Sequence, residues 1–249
     1  NEVIEVVLVF EIYGDMAMFR KPYTTTSMVS FPFPPPTAVA GIIGAIIGLK
    51  HGADINAKNA SYWAEMEGSQ VAVGIRRPIS WMTTSVNLMK FKTPSAIMGE
   101  QIQVKHQFVK KPRYRIYLRG GRIYNELKTR LEKGEFVYTP YLGVGYALAE
   151  VSFIGEYDEK GVDCEGIELD TVLPYYSGTE LDIVAGCNIH RETVPFRTDE
   201  LRKLQDSVVV FYPEYSRKMP RSPQIVLREK GSTMVSQVGT EKVAWFNAW

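Results

Sequence analysis

A proline run followed at once by a glycine-spaced apolar run most constrains how this chain folds. Prolines at positions 32 and 34–36 exclude helix and favour an extended segment, and Thr37 is placed to cap the helix predicted over residues 38–49. Gly41, Gly44 and Gly48 share one face of that helix, and each costs about 1 kcal/mol relative to Ala. We therefore predict that this face lies close against another backbone, such as a sheet. The run has 12 residues, fewer than the roughly 20 that a transmembrane helix needs.

Alternating and β-branched residues predict strands on both sides of this helix. Residues 2–13 and 70–75 read as strands, which gives the start of a βαββ unit. Residues 81–86 and 101–110 also alternate, and His106 shares a side with apolar neighbours. Too few large apolar residues are present for both faces to be core, so we predict a hairpin ribbon over residues 79–111 that projects from the sheet.

The rest of the chain continues as an α+β pattern. Residues 112–119 predict a strand with Arg113, Arg115 and Tyr117 on one face, followed by a helix at 122–133 that Gly134 ends. Further predictions are strands at 147–155, 181–186, 207–212, 224–228 and 241–246, acidic turns at 157–170 and a short helix near 198–205. We predict an α+β body over residues 1–155 and a small β-rich region over 156–249, which together could form one continuous domain.

Charge is strongly segregated along the sequence, although the net charge is only +1. Residues 76–133 contain 14 Lys/Arg and 3 Asp/Glu, whereas residues 150–206 contain 5 Lys/Arg and 14 Asp/Glu. Folding can separate charges that are close in sequence, but so dense a basic block favours one basic surface and a polyanionic partner.

Cations and aromatic residues interleave in the basic block, which is the pattern of a single-stranded RNA interface. In such an interface the cations bind phosphates while rings and Arg planes stack on unpaired bases. The predicted RNA-binding residues are Arg20, Lys21, Tyr23, Thr24, Arg76, Arg77, Trp81, Lys92, Lys105, His106, Gln107, Lys110, Lys111, Arg113, Tyr114 and Arg115.

Catalytic and cofactor motifs are scarce. The sequence has no phosphate-binding loop, no dinucleotide fingerprint and no metal-ligand spacing, so no cofactor or metal is predicted. Tyr23, Lys105 and His106 could form a metal-independent ribonuclease site in which a general base activates a ribose 2′-hydroxyl. The alternative is that His106 is structural or binds a nucleotide without cleaving it. A third possibility is a general RNA chaperone or a ribosomal-type RNA-binding protein.

Two cysteines do not make a disulfide framework, and the acidic start lacks the basic region of a secretory signal peptide. These features predict a reducing, cytoplasmic setting without a membrane.

Several motifs resemble the fifth Cas family, a member of the RAMP superfamily in type I CRISPR Cascade complexes, and most closely its type I-B branch. The matching segments are FEIYG at 10–14, FRKPYTTTS at 19–27, FPFPPPT at 31–37, GIIGAIIGL at 41–49, FVKKPRYRIYL at 108–118, TPYLG at 139–143 and RKMP at 217–220.

The resemblance implies a ferredoxin-like (RRM/RAMP) domain with a protruding β-hairpin thumb and a small C-terminal β-rich region. It implies a subunit that caps the 5′ repeat-derived handle of the crRNA, with the thumb at residues 79–111 and residues 20–27 near the handle. The implied partners are the crRNA, the Cascade backbone subunit and the large subunit, with target DNA contacted indirectly. One branch of the family, in type I-C, cleaves pre-crRNA with Tyr, Lys and His, whereas type I-B systems use a separate ribonuclease, so the resemblance favours a non-catalytic role.

Overall fold

The computed structural model describes residues 5–24, 27–50, 60, 62–89, 101–162, 166–182, 184, 187–215 and 225–249. The elements in chain order are β1 (Val6–Tyr13), β2 (Met16–Ala17), β3 (Phe19–Arg20), β4 (Ser30–Phe31), α1 (Pro36–Ile47), α2 (Tyr62–Met66), β5 (Gln70–Ile75), β6 (Trp81–Met89), β7 (Gln101–Lys110), β8 (Arg113–Arg119), α3 (Tyr124–Lys133), β9 (Glu150–Gly161), β10 (Ile167–Leu169), β11 (Leu173–Pro174), β12 (Glu180–Asp182), β13 (Ile189–Thr198), β14 (Leu204–Pro213), β15 (Ile225–Glu229), β16 (Met234–Val238) and β17 (Glu241–Trp245).

The main sheet has the strand order β17-β16-β9-β1-β8-β5, and β1 pairs antiparallel with both of its neighbours. Helix α1 lies between β1 and β5 in the chain, and α3 lies between β8 and β9. Strands β9-β1-β8-β5 with these helices therefore form the βαββαβ arrangement of a ferredoxin-like domain. The predicted α+β, ferredoxin-like fold class is confirmed.

The central strand β1 is buried on both faces because apolar residues occupy both of its sides. Leu8, Phe10 and Ile12 belong to the large core that contains residues of α1 and α3. Val7 and Val9 pack on the opposite face with side chains of β8, β16 and β17. Alternation along β1 places Glu11 on this second face, away from the helices.

Helix α1 begins and ends earlier than the sequence suggested. Pro35 is its N-cap and Pro36 its first residue, so Thr37 lies inside the helix and the prediction of a Thr37 cap is wrong. Proline suits the first turn because it needs no hydrogen-bonded N–H there. Gly48 ends the helix with φ 84°, and its N–H donates to the oxygen of Gly44.

At Gly41 and Gly44 the glycine face of α1 does not pack on a backbone, so that prediction is wrong there, whereas Gly48 lies close to the side chain of Val137. A Cβ at Gly41 would have no neighbour within 4 Å, and one at Gly44 would meet only the side chain of Leu49 at 3.8 Å. The buried face is aliphatic instead and includes Val39, Ile43 and Ile46. The strongly apolar face of α1 belongs instead to the core that contains Leu8, Phe10 and Ile12 of β1, whereas Gly41 and Gly44 border an open groove.

The projecting ribbon is present. β6 and β7 pair antiparallel from Trp81↔Val109 to Met89↔Gln101, and most of β6 is exposed. Residues 90–100, which include Lys92, lie outside the described residues. The base is anchored because Phe108 and Val109 are buried. β6 extends three residues beyond the predicted end at position 86.

The prediction of a short helix near residues 198–205 is wrong. Residues 198–205 are not a helix, because Thr198 ends β13 and Leu204 begins β14. The carboxylate of Asp199 accepts hydrogen bonds from the backbone N–H groups of Leu201 and Lys203, at 2.9 and 2.8 Å, which holds a turn in place of a helix.

The expected acidic turns at 157–170 are wrong at both ends, because β9 and β10 cover residues 157–161 and 167–169. β9 continues to Gly161 because it pairs with β1 and then with β16. The C-terminal hairpin β16–β17 thereby extends the main sheet, and smaller sheets form from β10-β15-β12 and β11-β14-β13. Division of the chain at 155/156 stays a proposal, and this boundary falls within β9. None of the helices in the described residues is both long and apolar enough to cross a bilayer.

Candidate nucleic-acid interface

The loop that follows β3 lies directly against the ribbon. The N–H of Met28 donates to the oxygen of Lys105 at 2.9 Å, and the N–H of Gln107 donates to the oxygen of Met28 at 2.8 Å. The side-chain oxygen of Gln107 also accepts from the N–H of Ser30 at 3.3 Å. Two segments that the sequence predicted to bind RNA, far apart in the chain, are therefore neighbours.

Lys21 and Tyr23 in this loop share one distant carboxylate. The ammonium of Lys21 lies 2.7 and 2.8 Å from the two carboxylate oxygens of Glu192 on β13, and the Tyr23 hydroxyl donates to Glu192 at 2.9 Å. The Tyr23 ring is 63% exposed, and burial together with the Glu192 bond raises the pKa of its hydroxyl. Arg20 is exposed and donates to the oxygen of Thr24 at 3.1 Å.

Exposed cations lie near the base of the ribbon and, in the case of Lys105, midway along it. They form, with one exposed indole ring, what we call the basic ribbon surface: Arg77, Trp81, Lys105, Lys110 and Lys111. Trp81 is 44% exposed, and within the described residues these four cations make no ion pair. Cations next to an exposed ring can bind a phosphate and stack on a base at the same time.

The predicted cations of β8 have a different environment. Arg113 Nε lies 2.5 Å from Glu11, and Arg115 binds both Glu11 at 2.6 Å and Glu241 at 2.9 Å. Arg76 also binds Glu241, at 2.7 Å. The predicted shared face of Arg113 and Arg115 is confirmed, but carboxylates from β1 and β17 neutralise it.

This ion-pair network on the second face of the sheet shifts the pKa values of Glu11 and Arg115. Burial by itself would raise the pKa of Glu11, but hydrogen bonds from Arg115 and Arg113 outweigh it and the pKa is lowered. Burial would likewise lower the pKa of Arg115, but its bonds to Glu11 and Glu241 raise it. Both groups are therefore firmly charged, and the network stabilises the sheet.

Two predicted base-stacking residues are buried. Tyr114 is 1% exposed and donates to the oxygen of Pro32 at 2.7 Å, so its ring has no open face for a base. His106 is 2% exposed, its Nδ1 lies 3.0 Å from the oxygen of Val104, and its ring stacks on Phe108. Across the residues that the structure describes, no cluster of three or more His, Cys, Asp or Glu could hold a metal ion.

The sequence did not identify the carboxylates that matter here. Glu11, Glu192 and Glu241 bind predicted cations from positions at least 100 residues away in the chain. Glu11 alone carried a signal in the sequence, because it is a charged residue within an otherwise apolar strand, and charged residues are rarely buried unless they are paired.

Comparisons with known proteins agree with this architecture. The sequence family described as CRISPR-associated protein (Cas_Cas5) matches residues 7–219. A search of curated proteins found no match.

Solved structures show a similar fold at low sequence identity. A chain of a "CRISPR RNA-guided surveillance complex" superposes with a TM-score of 0.53 and 12% identity, covering 87% of this chain and 94% of that one. A CRISPR protein from Archaeoglobus fulgidus superposes with a TM-score of 0.54 and 14% identity, covering 96% and 98%.

Proposed function

The chain belongs to the CRISPR-associated Cas5 family, and we propose on that basis that it is a non-catalytic subunit of a type I CRISPR Cascade complex. Its role in this proposal is to bind crRNA and cap the 5′ repeat-derived handle. The backbone subunit meets the ribbon, the large subunit docks alongside, and target DNA is contacted only through the complex.

The observation that carries this proposal is the apposition of the Lys21–Tyr23 loop and the basic ribbon surface. The backbone bonds of Met28 to Lys105 and Gln107 fix the two segments side by side. Lys21 of the loop and Trp81 and Gln107 of the ribbon line one cavity, so the two segments contribute to the same stretch of surface. Such a surface suits an unpaired ribonucleotide strand, with cations on phosphates and rings on bases.

The chain of the surveillance complex shares its fold with most of this chain, and this likeness supports assembly of this protein with other subunits. A subunit in that position should prefer the handle over other RNA. A general RNA-binding protein would bind any single strand about equally, since phosphate contacts carry no sequence information.

The test is co-expression of this chain with the other proteins of its locus and with a repeat–spacer RNA. We expect the purified complex to contain the RNA, and a repeat-derived handle to bind at least tenfold more tightly than a scrambled RNA at matched salt. A complex without small RNA, or equal affinity for both RNAs, would contradict the proposal.

The ribonuclease alternative finds no support in the geometry. A general base must reach the ribose hydroxyl, whereas His106 is buried and the Tyr23 hydroxyl is bonded to Glu192. Incubation of the purified chain with repeat RNA in EDTA tests this point. Clean cleavage that disappears in His106→Ala, with Phe108→Leu as a control for ribbon packing, would show that the subunit is catalytic.

A further inference from the structure

A cavity of about 380 Å³ opens where the loop, the ribbon base and the β13–β14 hairpin meet. Its lining includes Lys21 from the loop, Trp81 and Gln107 from the ribbon, and His190 and Tyr212 from the hairpin. The N–H of Ile79 donates to the oxygen of Tyr215 at 2.8 Å, which joins the ribbon base to the hairpin beside the cavity. A volume of this size suits a small ligand.

We propose that this cavity binds one unpaired nucleobase that is turned out of the bound strand. The inference rests on the proposed RNA-binding function and specifies a ligand for part of the same surface.

The walls have the flat aromatic surfaces that a base needs. His190 stacks on Tyr212 with ring centroids 5.2 Å apart and an interplanar angle of 22°, and Phe33 supports Tyr212 edge-on at 5.4 Å. These contacts hold the Tyr212 ring in a fixed orientation. His190 and Trp81 are exposed, so a base can reach them without unfolding the core. Stacking on such rings tolerates any base.

The polar groups of the lining favour a base over an apolar side chain. Gln107 uses its oxygen to accept from Ser30, which leaves its amide donors for the edge of a base. Glu214 already accepts from Asn188 at 2.6 Å and has further acceptor capacity. An apolar side chain from another protein would leave these groups without partners, which is unfavourable.

Lys21 gives the cavity a phosphate-binding group. Its ammonium lies 5.3 Å from the centroid of the Phe31 ring and is held by Glu192. A nucleotide whose base enters the cavity can place its phosphate beside this ammonium. The same residue therefore contributes to the cavity and to the loop that faces the basic ribbon surface.

The experiment uses the full chain and a series of repeat-derived single-stranded RNAs that carry 2-aminopurine or an abasic site at one position at a time. We expect fluorescence quenching at one position on binding, and about a tenfold loss of affinity when that position is abasic. In the Trp81→Ala/His190→Ala double variant the same abasic site should cost less than twofold, because the stacking partners are already absent. The single variant Trp81→Phe keeps an aromatic ring at position 81, so it should keep the loss of affinity at the abasic position.

Tyr138→Ala is the matched control, since Tyr138 is also exposed but does not line the cavity. It should keep the penalty of the abasic position. If the RNA binds normally but every abasic position costs the same in the wild type and the double variant, the cavity does not hold a base, while the proposed function stands. If no RNA binds, the proposed function and this inference both fail.

Two further arms identify the source of the ligand. Millimolar AMP and UMP without RNA test for a free nucleotide: binding that depends on Trp81 and His190 supports the nucleobase site. A photo-crosslinking residue at position 81 in the assembled complex tests for a protein occupant. Crosslinking to a neighbouring subunit in place of RNA would overturn the inference.

Discussion

The carboxylate of Glu192 lies 2.7 Å from the ammonium of Lys21, although 171 positions separate the two residues in the chain. The Tyr23 hydroxyl donates to the same carboxylate. Both donors belong to the loop that we propose to face RNA. One residue of the acidic segment therefore neutralises charge in this loop and adds to the backbone bonds of Met28 that hold it.

Glu192→Gln should increase affinity for single-stranded RNA about fivefold at low salt. The amide keeps an acceptor for Lys21 and Tyr23, but the charge that neutralises Lys21 is lost, an effect of about 1 kcal/mol for a partly exposed pair. Filter binding across a salt series measures it. Glu180→Gln is the control, because Glu180 is exposed and pairs only loosely with Arg228 at 3.8 Å. Unchanged or weaker binding in Glu192→Gln would show that Lys21 does not meet phosphate.

Arg115→Gln should lower the free energy of unfolding by about 2 kcal/mol, since it removes the cation that Glu11 and Glu241 share and leaves each carboxylate with a single arginine partner. Arg113→Gln is the matched control and should cost only about 1 kcal/mol, because Arg113 is more exposed and pairs with Glu11 alone. Urea denaturation measures both. Equal losses would mean that the bond between Arg115 and Glu241 contributes little. Charge reversal at Arg113 and Arg115 is also expected to weaken handle binding. Because the same change breaks this network, that measurement requires variants that are shown to be folded.

Acid should destabilise the fold through Glu11. The pKa of this carboxyl lies below its ordinary value of 4.5 in the folded state, so the unfolded chain takes up the proton first. Its contribution is complete above pH 4.5 and is lost as the pH falls through the lowered folded value. Melting temperatures of the wild type and Glu11→Gln should therefore differ most above pH 4.5 and converge in acid. A difference that persists unchanged at low pH would contradict this assignment.

Arg77→Gln and Lys110→Gln should each make RNA binding less sensitive to salt. The magnitude of the negative slope of the logarithm of the association constant against the logarithm of salt concentration should fall by about 0.7, the value for one lost contact to single-stranded phosphate. Lys133→Gln, at the exposed end of α3, should leave the slope unchanged. Fluorescence anisotropy with a labelled handle RNA measures all three. Equal slopes for the ribbon variants and the control would place the RNA elsewhere.

Gly41→Ala should stabilise the protein by about 1 kcal/mol, because alanine has the higher helix propensity and no atom lies within 4 Å of the added Cβ. Gly143→Ala should destabilise it strongly, since Gly143 has φ 89° and its Cβ would lie 2.1 Å from the oxygen of Met18. Thermal unfolding compares the two. Destabilisation by Gly41→Ala would indicate that the groove beside α1 is narrower than the structure shows.

Local pattern was enough to predict most of the framework. Strand β5 was predicted with its observed bounds, α3 within two residues, and the ribbon with its pairing strands, because alternation and helical spacing are properties of neighbouring residues. The errors came where a local signal had a stronger competitor. Asp199 stabilised a turn where a helix was predicted. In α1, aliphatic residues form the buried face, whereas the glycines were expected to form it.

The predicted site likewise has a part that the sequence determined and a part that depended on tertiary contacts. The residue pattern alone determined the start of a βαββ unit, the projecting ribbon and the presence of a basic block, and the family resemblance of the sequence implied the ferredoxin-like fold. Only the tertiary structure decided which cations remain available to bind RNA. Within the described residues, the four cations of the basic ribbon surface make no ion pair. In contrast, Lys21 is bound by Glu192, Arg113 by Glu11, and Arg115 by both Glu11 and Glu241. The physical reason is that secondary structure follows from contacts between near neighbours, whereas ion pairing and burial depend on distance in space, which folding sets between residues more than 100 positions apart.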